Sequence, residues 1–178
     1  MPYLYTQAVE NHETGMPMMR AMLLEFDEIG CEDLDRQYML GDGILVAPVM
    51  REDGCVDYYL PQGKWTHLLS GETVDGCGWR RDTYDFFSLP VFVRENTILP
   101  IGSRDDRTEY DYADGLTLRI YQLADGATAQ RAVCNTAGKV ILTTTATRLG
   151  DTITVCLEGQ KDTVSVEQIG TDCRLVIK

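Results

Sequence analysis

The chain has 178 residues and a mass of 20.0 kDa, with 44% hydrophobic and 25% charged residues, a balance that excludes a wholly disordered polypeptide and leaves material for one or two domains. Sixteen basic residues against 28 acidic ones give a formal net charge of −12, which disfavours nucleic acid and anionic membrane surfaces as partners. No segment reaches the ~20 consecutive apolar residues of a membrane-spanning helix, and the opening MPYLYTQAVENHETG lacks the basic and apolar regions of a signal peptide.

Helix signals come first. Pro2 suits the first helical turn, where a missing N–H costs nothing. Leu4 and Ala8, with Tyr5 and Val9, repeat at i,i+4 spacing, and Gly15 stands where a C-cap belongs, which predicts a helix over residues 2–13. The run Met16–Phe26 is apolar at nearly every position, the pattern of a strand covered on both faces in a parallel sheet. Helix and strand together form half of a βαβ unit. A second short helix is predicted over Asp33–Met39, with Leu34 facing Tyr38 and Gly41-Asp42-Gly43 ending it. A single helix cannot cover both faces of Met18–Leu24. At ~25 cal/mol per Å² of apolar surface, a wet face predicts self-association into a homo-oligomer.

From Ile44 onward the chain reads as β. Strands are predicted at Ile44–Met50, Cys55–Leu60, Lys64–Leu69, Trp79–Phe86 and Pro90–Arg94. Asp53-Gly54, Pro61-Gln62-Gly63 and Gly76-Cys77-Gly78 punctuate them with strong turn chemistry, as in an antiparallel sandwich. Ser103–Gly115 is polar and reads as a linker. Beyond it, Leu116–Tyr121, Val140–Thr145, Thr152–Leu157, Val164–Ile169 and Arg174–Ile177 alternate at period two, predicting a smaller all-β unit with one wet face.

Few residues carry a chemical signal. Glu25 and Asp27 end the apolar run, the edge at which α/β barrels place active sites. Spacing i,i+2 alone makes no cleft, and a polar strand exit is the reading preferred for them. The acidic cluster Asp105, Asp106, Glu109, Asp111 and Asp114 lacks EF-hand spacing and reads as solvated linker. His12 and His67 have no second His or Cys at metal spacing, so no metal site is expected. No phosphate-binding glycine loop or nucleophile elbow occurs, and no cofactor is expected. The cysteines Cys31, Cys55, Cys77, Cys134, Cys156 and Cys173 form no CxxC pair. They read as reduced thiols of a cytoplasmic protein, with secretion and three bridges as the alternative. Tyr58, Tyr59, Trp65, Trp79, Tyr84, Phe86 and Phe87 cluster in the first β unit, as a sandwich core or as a row that stacks on sugars.

Three stretches taken in order resemble the C-terminal third of the family-31 glycoside hydrolases. They are Met1–Phe26 (MPYLY…HETGMPMMRAMLLEF), Asp35–Val49 (DRQYMLGDGILVAPV), and Tyr59–Thr66 with Ser88–Ile101 (YLPQGKWT…SLPVFVRENTILPI). The wording DRQYMLGD and RDDRTEYDYADG is most similar to the bacterial α-xylosidase branch. The resemblance implies a mainly β chain: residues 1–40 as the final helix–strand–helix remnant of a (β/α)8 barrel, 41–103 as a proximal β-sandwich, 104–115 as a linker and 116–178 as a distal β domain. It implies an enzyme that cleaves α-xylosides or α-glucosides with retention, through an aspartate nucleophile and an aspartate acid/base. Those acids sit in W-x-D-M-x-E-type and W-x-G-D-type motifs, and the contexts of Trp65, Trp79 and Asp42 match neither. No catalytic, cofactor-binding or metal residue is therefore carried over, and the chain alone is expected to be inactive, bracing a catalytic barrel as its partner. A barrel needs ~250 residues, so Met1 is expected to be an internal methionine or the start of a truncated gene. The competing expectation is a stand-alone β-sandwich that binds carbohydrate through Trp65, Trp79 and Tyr84, or a purely structural interaction module.

Overall fold

The computed structural model describes residues 1–28 and 30–178. Among them are one α-helix and fifteen strands, so the chain is mostly β, as expected. Contacts group it into two compact units, residues 17–95 and residues 1–16 with 96–178.

The unit of residues 17–95 contains β1 (Met19–Arg20), β2 (Tyr38–Leu40), β3 (Ile44–Val46), β4 (Cys55–Leu60), β5 (Lys64–His67), β6 (Thr73–Asp75), β7 (Gly78–Thr83) and β8 (Val91–Arg94). Six of these form a sheet in the order β1-β2-β3-β8-β5-β6, while β4 and β7 pair as a separate antiparallel ribbon. Alternation along β4 turns Val56, Tyr58 and Leu60 inward. There they meet Leu45, Trp65 and Phe92 of the larger sheet in one core. Trp65 is wholly buried, and its indole N–H donates to the Pro61 carbonyl at 2.8 Å, which satisfies the one polar atom of the ring.

Two early expectations fail here for local reasons. The apolar run Met16–Phe26 is no continuous strand; it holds only the two-residue β1 and a 3₁₀ turn at Met22–Leu24. Arg20 interrupts it. Buried, its guanidinium donates to the Pro17 carbonyl at 3.0 Å and to Glu25 at 2.6 Å. The N–H groups of Leu24, Glu25 and Phe26 bond back to Ala21 and Met22 rather than to a neighbouring strand. The second early helix, Asp33–Met39, does not form either. Its end is β2, paired antiparallel with β3 across Gly41-Asp42-Gly43. Gly41, the first loop residue, has φ +65°, a left-handed conformation that glycine adopts without steric cost, so the glycines mark a hairpin and not a helix stop. The helix–strand–helix order expected for residues 1–40 is thus absent among the described residues.

The second unit contains α1 (Pro2–Thr14), β9 (Thr97–Ile101), β10 (Thr117–Tyr121), β11 (Thr128–Cys134), β12 (Val140–Leu149), β13 (Thr152–Gly159), β14 (Ser165–Ile169) and β15 (Arg174–Ile177). A three-stranded sheet runs β14-β10-β9 and a four-stranded one β11-β12-β13-β15. Pairing is antiparallel except for β10–β14 and β13–β15. Leu118, Ile120, Leu142, Ala146, Ile153 and Val155 close the core between them. The helix matches the sequence reading, with Pro2 in its first turn and Gly15 as its cap. Its place is with this unit: Thr6 Oγ1 accepts from Cys134 N–H at 3.0 Å, and the Tyr5 hydroxyl donates to the Thr136 carbonyl at 2.7 Å. Within the stretch read as linker, Tyr112 is 1% exposed and belongs to this core.

Gly76 leaves no room for a side chain, because a Cβ there would overlap the Pro61 carbonyl and lie 2.8 Å from Trp65 Nε1. Gly76→Ala is expected to break the Trp65–Pro61 bond and to lower stability by about 2 kcal/mol or more. Urea denaturation should show this as a lower midpoint at unchanged slope.

Candidate functional site

The residues singled out in the sequence scatter. Glu25 is bound by Arg20 and Asp27 is exposed, so the two build no acid pair. In the acidic stretch, Asp106 pairs with Arg107 at 2.8 Å and Asp111 accepts from Ala113 N–H at 3.1 Å. Among the described residues, no group of three metal-ligating side chains converges. His12 is exposed on the helix, whereas His67 is buried. All six cysteines are unpaired. The expected flat row of Trp65, Trp79 and Tyr84 does not exist, since Trp65 is 0% exposed. Phe86 and Phe87 stand almost fully in solvent, edge to face at 5.7 Å.

Two concave sites lie on the unit of residues 17–95. The first, of about 510 Å³, is lined by His67, Tyr58, Tyr84, Asp82, Glu72 and Arg80 among others. His67 Nε2 donates to the Leu89 carbonyl at 3.1 Å, and Nδ1 accepts from Ser70 N–H at 3.1 Å. Those partners select the Nε2–H tautomer. The ring stacks on Tyr84 at 5.9 Å and meets Phe92 edge-on. The Tyr58 hydroxyl donates to Asp82 at 2.5 Å and also contacts the Tyr84 hydroxyl. Burial, and then the hydrogen bond to Asp82, push the Tyr58 hydroxyl well above the usual tyrosine range. His67, Tyr58 and Asp82 thus already have protein partners. The arrangement ties together the strands around it.

The second site is a groove of about 380 Å³ beside Trp79. Trp79 and Tyr59 are direct partners across the β4–β7 ribbon, edge to face at 5.9 Å and 72°. One step along, Arg81 clamps Asp57 through two bonds of 2.5 and 2.9 Å. That clamp holds the Asp57 carboxyl below the usual carboxylate range. Nearby, Arg51 grips Asp53 in the same bidentate way, and the Asp53 carboxyl falls to about 2. Gln37 fixes the wall from behind, donating to the Tyr59 carbonyl at 2.8 Å and accepting from its N–H at 2.7 Å. The sequence leaves Trp79 either in the core or in an exposed row; it is 64% exposed, and its position opposite Tyr59 follows from ribbon register, which no local pattern reveals.

Residues 15–99 match the family described as the glycosyl hydrolase family 31 C-terminal domain, and residues 111–174 match that of the α-xylosidase YicI C-terminal domain. The α-xylosidase XylQ of Lactiplantibacillus pentosus is 38% identical over 138 residues, 75% of this chain and 18% of the relative. A GH31 dextranase of Flavobacterium johnsoniae superposes with a TM-score of 0.73 at 27% identity, covering 84% of this chain and 20% of that one. The GH31 α-xylosidase of Xanthomonas citri shares the fold over 97% of this chain and 20% of its own length, with a TM-score of 0.78 at 23% identity. The chain thus spans about a fifth of the length of XylQ and of these two solved structures.

Tyr58 carries a pH-dependent prediction. Its folded value lies above the ~10 of a free tyrosine, so its contribution to stability is present below pH ~10 and is lost as pH rises beyond that, when the unfolded chain ionises first. Tyr58→Phe is expected to cost about 1.5 kcal/mol at neutral pH through the lost bond to Asp82. It should also flatten the alkaline fall in stability, read from urea midpoints across that range.

Proposed function

This chain belongs to the C-terminal region of glycosyl hydrolase family 31, and we propose that it serves as the C-terminal β region of a retaining α-glycosidase acting on α-xylosides or α-glucosides. The observation that carries the reading is the pair of family matches in one order along the chain, the second of them described as an α-xylosidase domain. Catalysis falls to aspartates outside this chain, because neither aspartate motif of the family occurs in the sequence. The role of these residues is to brace the catalytic barrel.

A solvent-facing apolar segment supports a bracing role. Met19, Leu23 and Leu24 are 59%, 54% and 48% exposed within six residues, and large aliphatic groups so placed favour burial against a partner surface. The remainder of the glycosidase is that partner; in the isolated chain the same segment drives self-association. Six unpaired thiols suit a reducing, cytoplasmic setting.

Two measurements test this. The pure chain is expected to give no turnover of an aryl α-xyloside above the buffer blank, and measurable turnover overturns the assignment of catalysis to other residues. In sedimentation, the chain should associate and the double variant Leu23→Asp, Leu24→Asp should be monomeric with an unchanged circular dichroism spectrum. A monomeric parent chain removes this segment as the bracing surface.

A further inference from the structure

The Trp79 groove has features that bracing does not use. We propose that it is a non-catalytic binding subsite for a short neutral saccharide.

The wall of the groove is a large ring that the fold keeps in water. Trp79 is 64% exposed, although the same unit buries its other indole completely. Packing edge-on against Tyr59, with the Tyr59 backbone pinned on both sides by Gln37, holds the ring in one orientation. Little further ordering is then required when a ligand stacks on its free face. The carbon-bound hydrogens on one face of a pyranose carry slight positive charge and complement the negative face of an indole.

The charged residues lining the groove are Asp33, Asp35, Arg36, Arg51 and Asp57, and most of them are paired, Asp35 with Arg36 at 4.0 Å. Arg51 is matched by Asp53 and Arg81 by Asp57, each through a bidentate pair. At these two pairs an anion would have to displace a carboxylate that is already well placed, and a cation would have to displace a guanidinium. Hydroxyl groups need neither, because they can accept from guanidinium N–H groups and donate to the outer lone pairs of the carboxylates while the pairs stay intact. Apolar Leu34 and Val56 also line the groove, and its volume of about 380 Å³ lies at the lower end of the ~300–1,000 Å³ range of small-molecule sites. An apolar ring face, rim charge that is mostly paired and this size fit a short saccharide.

The two tryptophans make the test selective. Methyl α-xyloside and isomaltotriose, titrated separately into the full chain, are expected to shift the indole N–H resonance of Trp79 and quench its emission saturably, with a dissociation constant on the order of 1 mM. The Trp65 indole N–H, bonded to Pro61 in the core, should stay fixed. In calorimetric titration, which needs no indole, Trp79→Ala should abolish sugar binding with an unchanged melting transition, and Trp79→Phe, which keeps a smaller ring, should weaken it about tenfold. The proposal is overturned if neither sugar gives a saturable shift up to about 100 mM, a hundred times the expected constant. It is equally overturned if both indoles move together, if inorganic phosphate gives the same shift, or if the Trp79 indole is already shielded from acrylamide before sugar is added. Because turnover is not read, this outcome is independent of the aryl xyloside experiment.

Discussion

Along Cys55–Leu60 the side chains alternate between two destinations, and the ribbon formed with Gly78–Thr83 depends on that alternation. Val56, Tyr58 and Leu60 fill the core. Asp57 and Tyr59 lie on the other face, directly opposite Arg81 and Trp79. Since Gln37 takes up the N–H and C=O of Tyr59, Tyr59 and Trp79 form a pair without mutual backbone bonds, the type in which facing side chains come closest. Cross-strand pairs of this kind each add a fraction of a kcal/mol to ~1 kcal/mol. A slip of one residue would send the aromatic and ionic pairs inward and the core residues outward.

Arg20, His67 and Tyr58 in this unit are held on the same principle, each supplied with a local partner, whereas the buried Thr66 hydroxyl has none among the described residues. Arg20 can be buried because Glu25 and the Pro17 carbonyl lie within reach, and a buried guanidinium without them would be strongly destabilising. His67 and Tyr58 are likewise tied to Leu89, Ser70 and Asp82. Such networks position the strands that border the larger cleft.

Much of the fold could be read from the sequence wherever one face of an element is wet. The period-two strands Cys55–Leu60 and Arg174–Ile177 have the boundaries expected of them, and the helix ends one residue beyond its predicted limit. Two kinds of element escaped. Thr97–Ile101 and Thr128–Cys134 are strands whose pairing is set by partners distant in sequence, and the first of them is buried at nearly every position, so it shows no alternation. Met16–Phe26 misled for the opposite reason. An apolar run signals burial, yet one arginine with a carboxylate five residues later folds it back on itself. The groove was invisible in the sequence because Trp79, Asp57 and Gln37 meet through register and a side-chain bond, and neither leaves a local signature.

Gln37 also bears on solubility. A strand in a two-stranded ribbon presents a row of open backbone groups that can template β-addition by another chain. At Tyr59 the carboxamide of Gln37 occupies both of those groups, as a neighbouring strand would. At that position the edge of the ribbon has no open backbone group left to offer an added strand.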